Sequence, residues 1–263
     1  MDVLLFDAMN LIRRIYAPQH DKPDAIENTI LLSQNALLKD IERFEPVHVV
    51  CVFDGREETW RHVLYPDYKH KRKPMPVELA DALHLFEQRF EQLGIACLHY
   101  PDLEADDVIA TLTVKCQHHG KQVGIVSTDK GYMQIMDSNT IIYHHFDRKI
   151  LSNDDVVSVL GFPSARLVDF LSLVGDTTND IPGIDGIGPK TAGKLLDQYG
   201  DLDGVLIHSD DIQGKPGEQL RQHYRQALLA RKLVTLKVDC DLGVNLKQLR
   251  YEPKVYKPMA SQG

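Results

Sequence analysis

The sequence predicts an α/β protein, with a doubly wound, mostly parallel sheet and a smaller C-terminal helical subdomain that contains a helix-hairpin-helix. Over residues 1–160, short apolar runs alternate with longer amphipathic segments, as in parallel sheets covered by helices. After residue 160 the pattern changes to helical segments around a hairpin rich in glycine and proline. We therefore assign 1–160 to the α/β core and 161–263 to the helical subdomain, with its helix-hairpin-helix near 164–199.

The predicted elements follow from hydrophobic periodicity along the chain. Apolar, β-branched runs typical of buried strands occur at 3–6, 47–53, 95–98, 123–126 and 140–143. Helical spacing occurs near 24–44, 77–93 and 104–119 in the core, and near 164–174, 189–199 and 215–235 in the subdomain. The last residues, 259–263, are expected to fray.

The composition excludes several protein classes. The 263 residues are 43% hydrophobic and 26% charged, which is ordinary for a globular protein. Apolar stretches are short and interrupted by charge, so we expect no transmembrane helix and no membrane partner. The first residues lack the basic segment of a signal peptide. The four cysteines are scattered without zinc spacing, so we expect free thiols in the cytoplasm and neither a disulfide scaffold nor a zinc finger.

The net charge of −8 hides two basic segments. Residues 61–73 carry five Lys or Arg against one acid, and residues 221–257 carry nine against three. The first lies in the segment 55–76, called the arch below, which is too long for an ordinary connection and also carries Trp60, Tyr65 and Tyr68. A mobile arch that binds single-stranded nucleic acid by stacking and phosphate neutralisation fits this pattern. A solvated surface loop fits it equally well.

Eight carboxylates are predicted to converge at the sheet edge where ligands bind in open α/β folds. Three follow predicted strands (Asp7, Asp54 and Asp129), three open a helix just past a fourth strand (Glu104, Asp106 and Asp107), and two lie in the loop 175–183 (Asp176 and Asp180). A single acid at a helix start or strand end is often only a cap or a turn former. Eight together repel one another unless divalent cations compensate. All of these candidate ligands are oxygens and the group contains no histidine, so Mg²⁺ or Mn²⁺ fits better than Zn²⁺. Two such ions about 4 Å apart support phosphodiester hydrolysis.

A glycine-rich loop at 183–191 leads into a predicted helix, with Pro189 near the first helical position. Glycines let backbone approach a phosphate closely, and Ile184 and Ile187 are expected to anchor the loop between two helices. This is typical of a helix-hairpin-helix that clamps a DNA duplex. Residues 188–194 also match part of a P-loop, but Leu195 replaces the required Ser or Thr and no strand precedes it. A nucleotide hydrolase is therefore a weak alternative, and we expect no nucleotide cofactor.

Taken together, these motifs resemble the 5′-nuclease (flap endonuclease) family, which includes the 5′-nuclease domain of bacterial DNA polymerase I. The resemblance covers about residues 1–235, and its motifs are Asp7 with 10–14, 52–54 with 60–61, 68–76, 104–107, 127–130 and 175–191. It implies a PIN-like 5′-nuclease core with a 5′-3′ exonuclease-type subdomain. It further implies a Mg²⁺-dependent monomer that cleaves DNA at 5′ flaps or junctions in replication and repair.

The resemblance also implies roles for individual residues. The first metal site corresponds to Asp7, Asp54, Glu104, Asp106 and Asp107, with Asp106 as the most direct Mg²⁺ ligand. Basic residues near the scissile phosphate correspond to Lys69, Arg72 and Arg14. The hairpin that grips duplex DNA corresponds to Gly186, Ile187, Gly188, Pro189, Lys190 and Thr191. In stand-alone bacterial members a K⁺ ion binds there through backbone carbonyls, which correspond to those of Leu173, Val174, Pro182, Ile184 and Ile187.

The second metal site departs from the family pattern. Asp129 is present, but Gly131 stands where a second aspartate is usual, and the last acid of the loop 175–180 is displaced by one residue to Asp180. Two of the four second-site acids are therefore missing from their expected positions, unless Asp180 compensates by reorienting. The alternative function is a structure-specific DNA-binding protein with weak or no catalysis.

Overall fold

The computed structural model describes residues 1–254; the expected frayed end, 259–263, lies outside the described residues. Its strands are Val3–Asp7 (β1), His48–Val52 (β2), Ala96–Leu98 (β3), Val123–Val126 (β4), Thr140–His144 (β5), Lys149–Leu151 (β6), Gly175–Asp176 (β7) and Ile181–Pro182 (β8). Its α-helices are Ala8–Tyr16 (α1), Ala25–Phe44 (α2), Trp60–Leu64 (α3), Val77–Gln92 (α4), Ala105–His118 (α5), Asn153–Leu160 (α6), Leu167–Val174 (α7), Pro189–Tyr199 (α8), Leu202–Ile207 (α9) and Lys215–Val234 (α10). Short 3₁₀ helices span Lys130–Ile135 and Ser164–Arg166.

The main sheet has the order β3-β2-β1-β4-β5-β6, and every pair within it is parallel except β5 with β6. One apolar cluster joins the sheet to α1, α2 and α4, and a second joins its other face to α5. Helices thus cover both faces, which confirms the predicted doubly wound fold. The carboxyl ends of the neighbouring strands β2, β1 and β4 lie at one edge of the sheet. Asp7, Asp54 and Asp129, which lie at or just after these ends, are therefore at the same edge.

The helices after residue 160 surround their own apolar cluster, which includes Leu173, Ile184, Ile187 and Leu196. The isoleucines of the glycine-rich loop are therefore buried between helices, as predicted. Pro189 is the first residue of α8, where its missing N–H costs no helical hydrogen bond. The two-residue strands β7 and β8 form a small hairpin between α7 and this loop.

The chain does not stay with the helical subdomain after α10. Leu236, Cys240, Leu242 and Leu249 are buried in the apolar cluster on the α5 face of the core. Tyr251 then donates its N–H to Val47 O beside β2. The boundary predicted at residue 160 therefore separates sequence patterns, whereas contacts join the end of the described chain to the core.

All four cysteines lie in the described residues and are free thiols. Within residues 1–254 no single helix is long and apolar enough to span a membrane, although the pair Asn153–Leu160 and Ser164–Val174, bent by 53°, meets the length and composition test together.

Candidate functional site

Four carboxylates, those of Asp7, Asp54, Asp106 and Asp129, line one cavity of about 200 Å³ at the carboxyl edge of the sheet. Asp7 ends β1 and caps α1, because its Oδ1 accepts from the N–H of Asn10 at 3.0 Å. Asp54 follows β2, and its Oδ1 accepts from the first N–H of α5 at 2.9 Å. The cavity therefore lies where the carboxyl ends of β1 and β2 meet the first residues of α1 and α5.

Helix α5 and the turn after β4 complete the cavity. Asp106 lies in the first turn of α5, and its Oδ1 accepts from the Tyr132 hydroxyl at 2.7 Å. Asp129 follows β4, and its Oδ1 accepts from the N–H of Gly131 at 2.6 Å. Each carboxylate has at least one oxygen hydrogen-bonded to the protein, and Asp7 has both, since Ser127 Oγ donates to its Oδ2 at 3.0 Å. These bonds fix the directions of the carboxylates and leave further lone pairs for a ligand.

The four carboxylates repel one another, and the repulsion affects the buried Asp7 and the half-buried Asp106 most, since Asp54 and Asp129 are exposed. Burial, and then the charge of Asp54, raise the pKa of Asp7 to about 7. Burial and the charges of Asp129 and Asp7 raise the pKa of Asp106 well above its ordinary value. Bound cations relieve the same repulsion that otherwise favours protonation.

Four basic residues, Arg13, Arg14, Lys69 and Arg72, line the same cavity. The sequence predicted Arg14, Lys69 and Arg72 here, and all three do face it. Arg14 also lies over the Phe146 ring, with its Cζ 5.0 Å from the ring centroid. Arg13 was not singled out for a role in the sequence, because its neighbour Arg14 carried the resemblance. An anion that enters the cavity thus meets cations as well as carboxylates.

Glu104 and Asp107 do not line this cavity, although the sequence grouped them with the first metal site. Both are hydrogen-bonded to Arg61, which is only 2% exposed. Arg61 Nη1 donates to Glu104 Oε2 at 2.5 Å and to Asp107 Oδ2 at 2.8 Å, and Nη2 donates to Asp107 Oδ1 at 2.8 Å. Lys69 Nζ donates to the other Glu104 oxygen at 2.6 Å. These two acids therefore orient basic side chains of the arch in this structure.

The structure places Asp176 and Asp180 differently. Asp176 lines a neighbouring cavity of about 680 Å³ together with Asp106 and Asp129. Its oxygens accept from the N–H of Thr178 at 2.9 Å and from Asn179 Nδ2 at 2.6 Å. Asp180 lines neither cavity, because its carboxylate accepts from the N–H of Lys71 at 2.8 Å. In this structure the Asp180 carboxylate is therefore bonded to the arch and does not face either cavity.

The arch differs from the exposed, base-stacking segment that its aromatic residues suggested. Tyr68 is only 4% exposed, and its hydroxyl donates to Glu104 at 3.2 Å. The Trp60 ring is half-buried, with Arg61 Cζ 4.4 Å and Lys237 Nζ 4.6 Å from its centroid. These two rings therefore hold the arch to the protein, whereas Arg72 is exposed and free to meet a phosphate.

The glycine-rich hairpin exposes most of its predicted DNA-binding residues. Gly186, Gly188, Pro189 and Lys190 are exposed, Thr191 is half-buried, and Ile187 is buried as an anchor. The loop therefore presents backbone N–H groups and one Lys at the start of α8, where the helix dipole favours an anion.

The predicted carbonyl site for K⁺ lies where two backbone segments come close together. A Cβ added to Gly183 would overlap the backbone of Val174 and Gly175. Leu173 O accepts from Ile184 N–H at 2.8 Å. A carbonyl oxygen has two lone pairs, so this bond leaves one for a cation. The close approach is thus compatible with carbonyl coordination.

The side chains that line the carboxylate cavity fit a divalent ion that keeps part of its water shell better than one bound by protein atoms alone. Within residues 1–254 no three Asp, Glu, His or Cys side chains come together closely enough to hold a metal ion by themselves. The cavity is lined by the four carboxylates and by the polar side chains of Asn10, Thr178 and Asn179. Such oxygen donors suit Mg²⁺, an ion that commonly keeps several waters and binds one or two carboxylates.

Two protein-family models together match residues 2–257 of the chain. Residues 2–161 match the family described as 5′-3′ exonuclease, N-terminal resolvase-like domain, and residues 162–257 match 5′-3′ exonuclease, C-terminal SAM fold. The chain is 42% identical to a flap endonuclease Xni of Colwellia psychrerythraea, over 94% of this chain and 91% of that one.

Two solved structures are similar in fold. The T5 5′-exonuclease with bound zinc has a TM-score of 0.77 at 18% identity, and 90% of each chain is covered. The bacteriophage T5 flap endonuclease in a pseudo-enzyme-product complex with DNA and metal ions has a TM-score of 0.75 at 18% identity, again with 90% of each chain covered.

Proposed function

Because this chain belongs to the 5′-3′ exonuclease family, we propose that it is a Mg²⁺-dependent flap endonuclease that cleaves 5′ single-stranded flaps at DNA junctions. One observation carries the proposal: four carboxylates converge on a cavity that basic residues of the arch and α1 also line. A cavity of this kind suits a scissile phosphate held between metal-binding acids and cations.

Each group has a distinct task in the proposed reaction. When bound, a divalent ion stabilises charge on the phosphate and lowers the pKa of the attacking water. Asp106 and Asp7 hold the ion side of the cavity, with their directions fixed by Tyr132 and Ser127. Lys69 and Arg72 meet the phosphate from the opposite side. The exposed hairpin at α8 grips the duplex and so sets the distance to the cut.

The proposal is tested by single-turnover cleavage of a labelled 5′-flap duplex in about 10 mM Mg²⁺, an excess chosen because Mg²⁺ is weakly held. We expect Asp106→Ala to lower the cleavage rate at least about 100-fold, because lost metal-assisted charge stabilisation costs several kcal/mol. Asp102→Asn is the matched control, since Asp102 is an exposed acid on the loop just before α5. Wild-type cleavage by Asp106→Ala would disprove the site assignment.

The alternative, a flap-binding protein with little catalysis, has its own support. Gly131 and Asn179 stand where second-site acids are usual, and Asp180 is bonded to the arch. The same assay decides between the two functions. Flap binding by the wild type without any metal-dependent product would favour the alternative.

We also propose that one K⁺ binds the carbonyls of the hairpin, and that this ion contacts a DNA phosphate. The support is the close backbone approach at Gly183. We expect duplex affinity to be higher in K⁺ than in Na⁺ at matched ionic strength. Matching is essential, because general phosphate contacts weaken as any salt rises. Equal affinity in the two salts would contradict the K⁺ site.

A further inference from the structure

The arch contacts the turn that joins β7 to β8. Lys69 N–H donates to Asn179 O at 2.9 Å, and Lys71 N–H donates to Asp180 Oδ2 at 2.8 Å. Lys71 Nζ lies 3.9 Å from the other Asp180 oxygen. The turn therefore holds the arch at the residue that carries Lys69 and just before Arg72.

Both sides of this junction have unusual backbone. Among the described residues only four other than glycine have a positive φ, and two of them are Lys69, at 56°, and Asp180, at 55°. Non-glycine residues adopt this conformation at a cost, and it persists where the surroundings fix it. The strain at Lys69 and at Asp180 thus coincides with the bonds that join the two segments.

The direction of the Asp180 carboxylate is well determined. The side chain is only 12% exposed, whereas that of Lys71 is 87% exposed. The stronger contact is made by the backbone N–H of Lys71, so it does not depend on which side chain residue 71 carries. To reach the carboxylate cavity, Asp180 would have to leave this N–H unpaired.

We propose that Asp180 is a positioning residue that holds the arch over the cavity, and that it is not a metal ligand. By fixing the backbone at residues 69–71, it keeps Lys69 Nζ 2.6 Å from Glu104 and directs Arg72 to the cavity. The role of the arch rests on the proposed nuclease function, whereas the attachment itself can be measured without DNA or metal.

Two substitutions separate the side-chain bond from backbone strain. Glycine and asparagine both tolerate positive φ, but only asparagine keeps an acceptor for the Lys71 N–H. Asp180→Gly therefore removes the attachment and Asp180→Asn keeps it, while neither is strained at this position. Lys71→Ala is a control that retains the backbone N–H. Thermal melts show whether each variant is folded.

The first measurement is limited trypsin digestion without DNA or divalent ions, followed at the bonds after Lys69 and Arg72, which all the variants retain. We expect arch cleavage to be about tenfold faster in Asp180→Gly, because a hydrogen bond to a charged group is lost and local opening becomes easier. Asp180→Asn and Lys71→Ala should remain close to wild type. Equal cleavage of wild type and Asp180→Gly would overturn the proposal, whether or not the protein cuts DNA.

The second measurement separates positioning from metal binding. Titration calorimetry with Mg²⁺ or Mn²⁺ alone should give the same affinity for wild type, Asp180→Gly and Asp180→Asn. In flap cleavage, we expect Asp180→Gly to be slower about tenfold with an unchanged half-saturating Mg²⁺ concentration. Weaker metal binding in both variants would overturn the proposal and make Asp180 a ligand, while leaving the nuclease function intact.

Discussion

At the scale of single residues, Arg61 organises the acids that do not face the cavity. Its five N–H donors are engaged by Glu104, Asp107 and the backbone carbonyls of Leu233 and Thr235. Burial opposes its charge, but the hydrogen bonds and charges of Asp107 and Glu104 raise the pKa of Arg61. One guanidinium thus connects the arch, the start of α5 and the end of α10.

We expect Arg61→Met to destabilise the fold by about 3–5 kcal/mol, because two buried carboxylates lose their main partner. Arg61→Lys should not restore stability, since an ammonium cannot make the same forked contacts. Urea unfolding measures the change. Arg56→Met, at an exposed arch residue, is the control and should stay within about 0.5 kcal/mol of wild type. If Arg61→Met were as stable as Arg56→Met, the role of Arg61 would be contradicted.

The sequence predicted which acids lie near the cavity better than it predicted which of them line it and which bind Arg61. Asp7, Asp54 and Asp129 could be placed because strand ends of a parallel sheet share one edge. The pairing of Arg61 with Glu104 and Leu233 could not, because these partners are 43 and 172 residues away along the chain. Nothing local in the motif distinguishes an acid that faces a cavity from one that faces an arginine.

At the scale of elements, the hairpin before α8 depends on one close backbone contact. Gly183 lies against Val174 and Gly175, and Gln226 donates from its Nε2 to Gly183 O. This contact joins the end of α7 to the loop that leads into α8, so it fixes the position of the start of α8.

Two Gly→Ala substitutions near this hairpin should have opposite effects on stability. Gly183→Ala should destabilise the protein by about 1–3 kcal/mol, because the new Cβ overlaps backbone that cannot move aside. Gly193→Ala should stabilise it by about 0.5–1 kcal/mol, because Gly193 is inside α8 and a Cβ there meets no other atom within 4 Å. Thermal or urea unfolding measures both. The same sign for both changes would contradict this account.

Elements with a clear apolar pattern were predictable, and several without one were not. The five predicted strands are short but strongly apolar, and the long helices follow from periodicity sustained over several turns. The short helices α3, α6 and α9 and the edge strand β6 were missed, because their own sequences carry little such pattern and short helices depend on tertiary contacts. Helix α1 was missed because it follows β1 directly, with Asp7 as its cap.

At the scale of the whole molecule, the concentration of carboxylates at one edge links stability to pH. The pKa of Asp7 rises from 3.8 to about 7 on folding. Between these values the folded protein holds a proton that the unfolded chain has lost. Raising the pH through this range therefore lowers the free energy of unfolding.

We expect this loss in metal-free protein between about pH 4 and about pH 7, at up to about 1.4 kcal/mol per pH unit for one group. Urea unfolding in chelator should show the stability of wild type falling relative to Asp7→Asn, and levelling off at higher pH. Added Mg²⁺ should raise wild-type stability above the plateau, since it binds the folded state. A difference that does not vary with pH would contradict the raised pKa of Asp7.

The return of the chain after α10 has a consequence for synthesis. Asp107 accepts from the N–H of Lys237 at 2.9 Å, and Arg61 donates to Leu233 O and Thr235 O. These partners are translated more than 120 residues after α5 begins. A nascent chain that has made every acid of the cavity still lacks the groups that hold the arch and α5 in register. The contacts that hold the arch and α5 can therefore form only after residues 233–237 have left the ribosome.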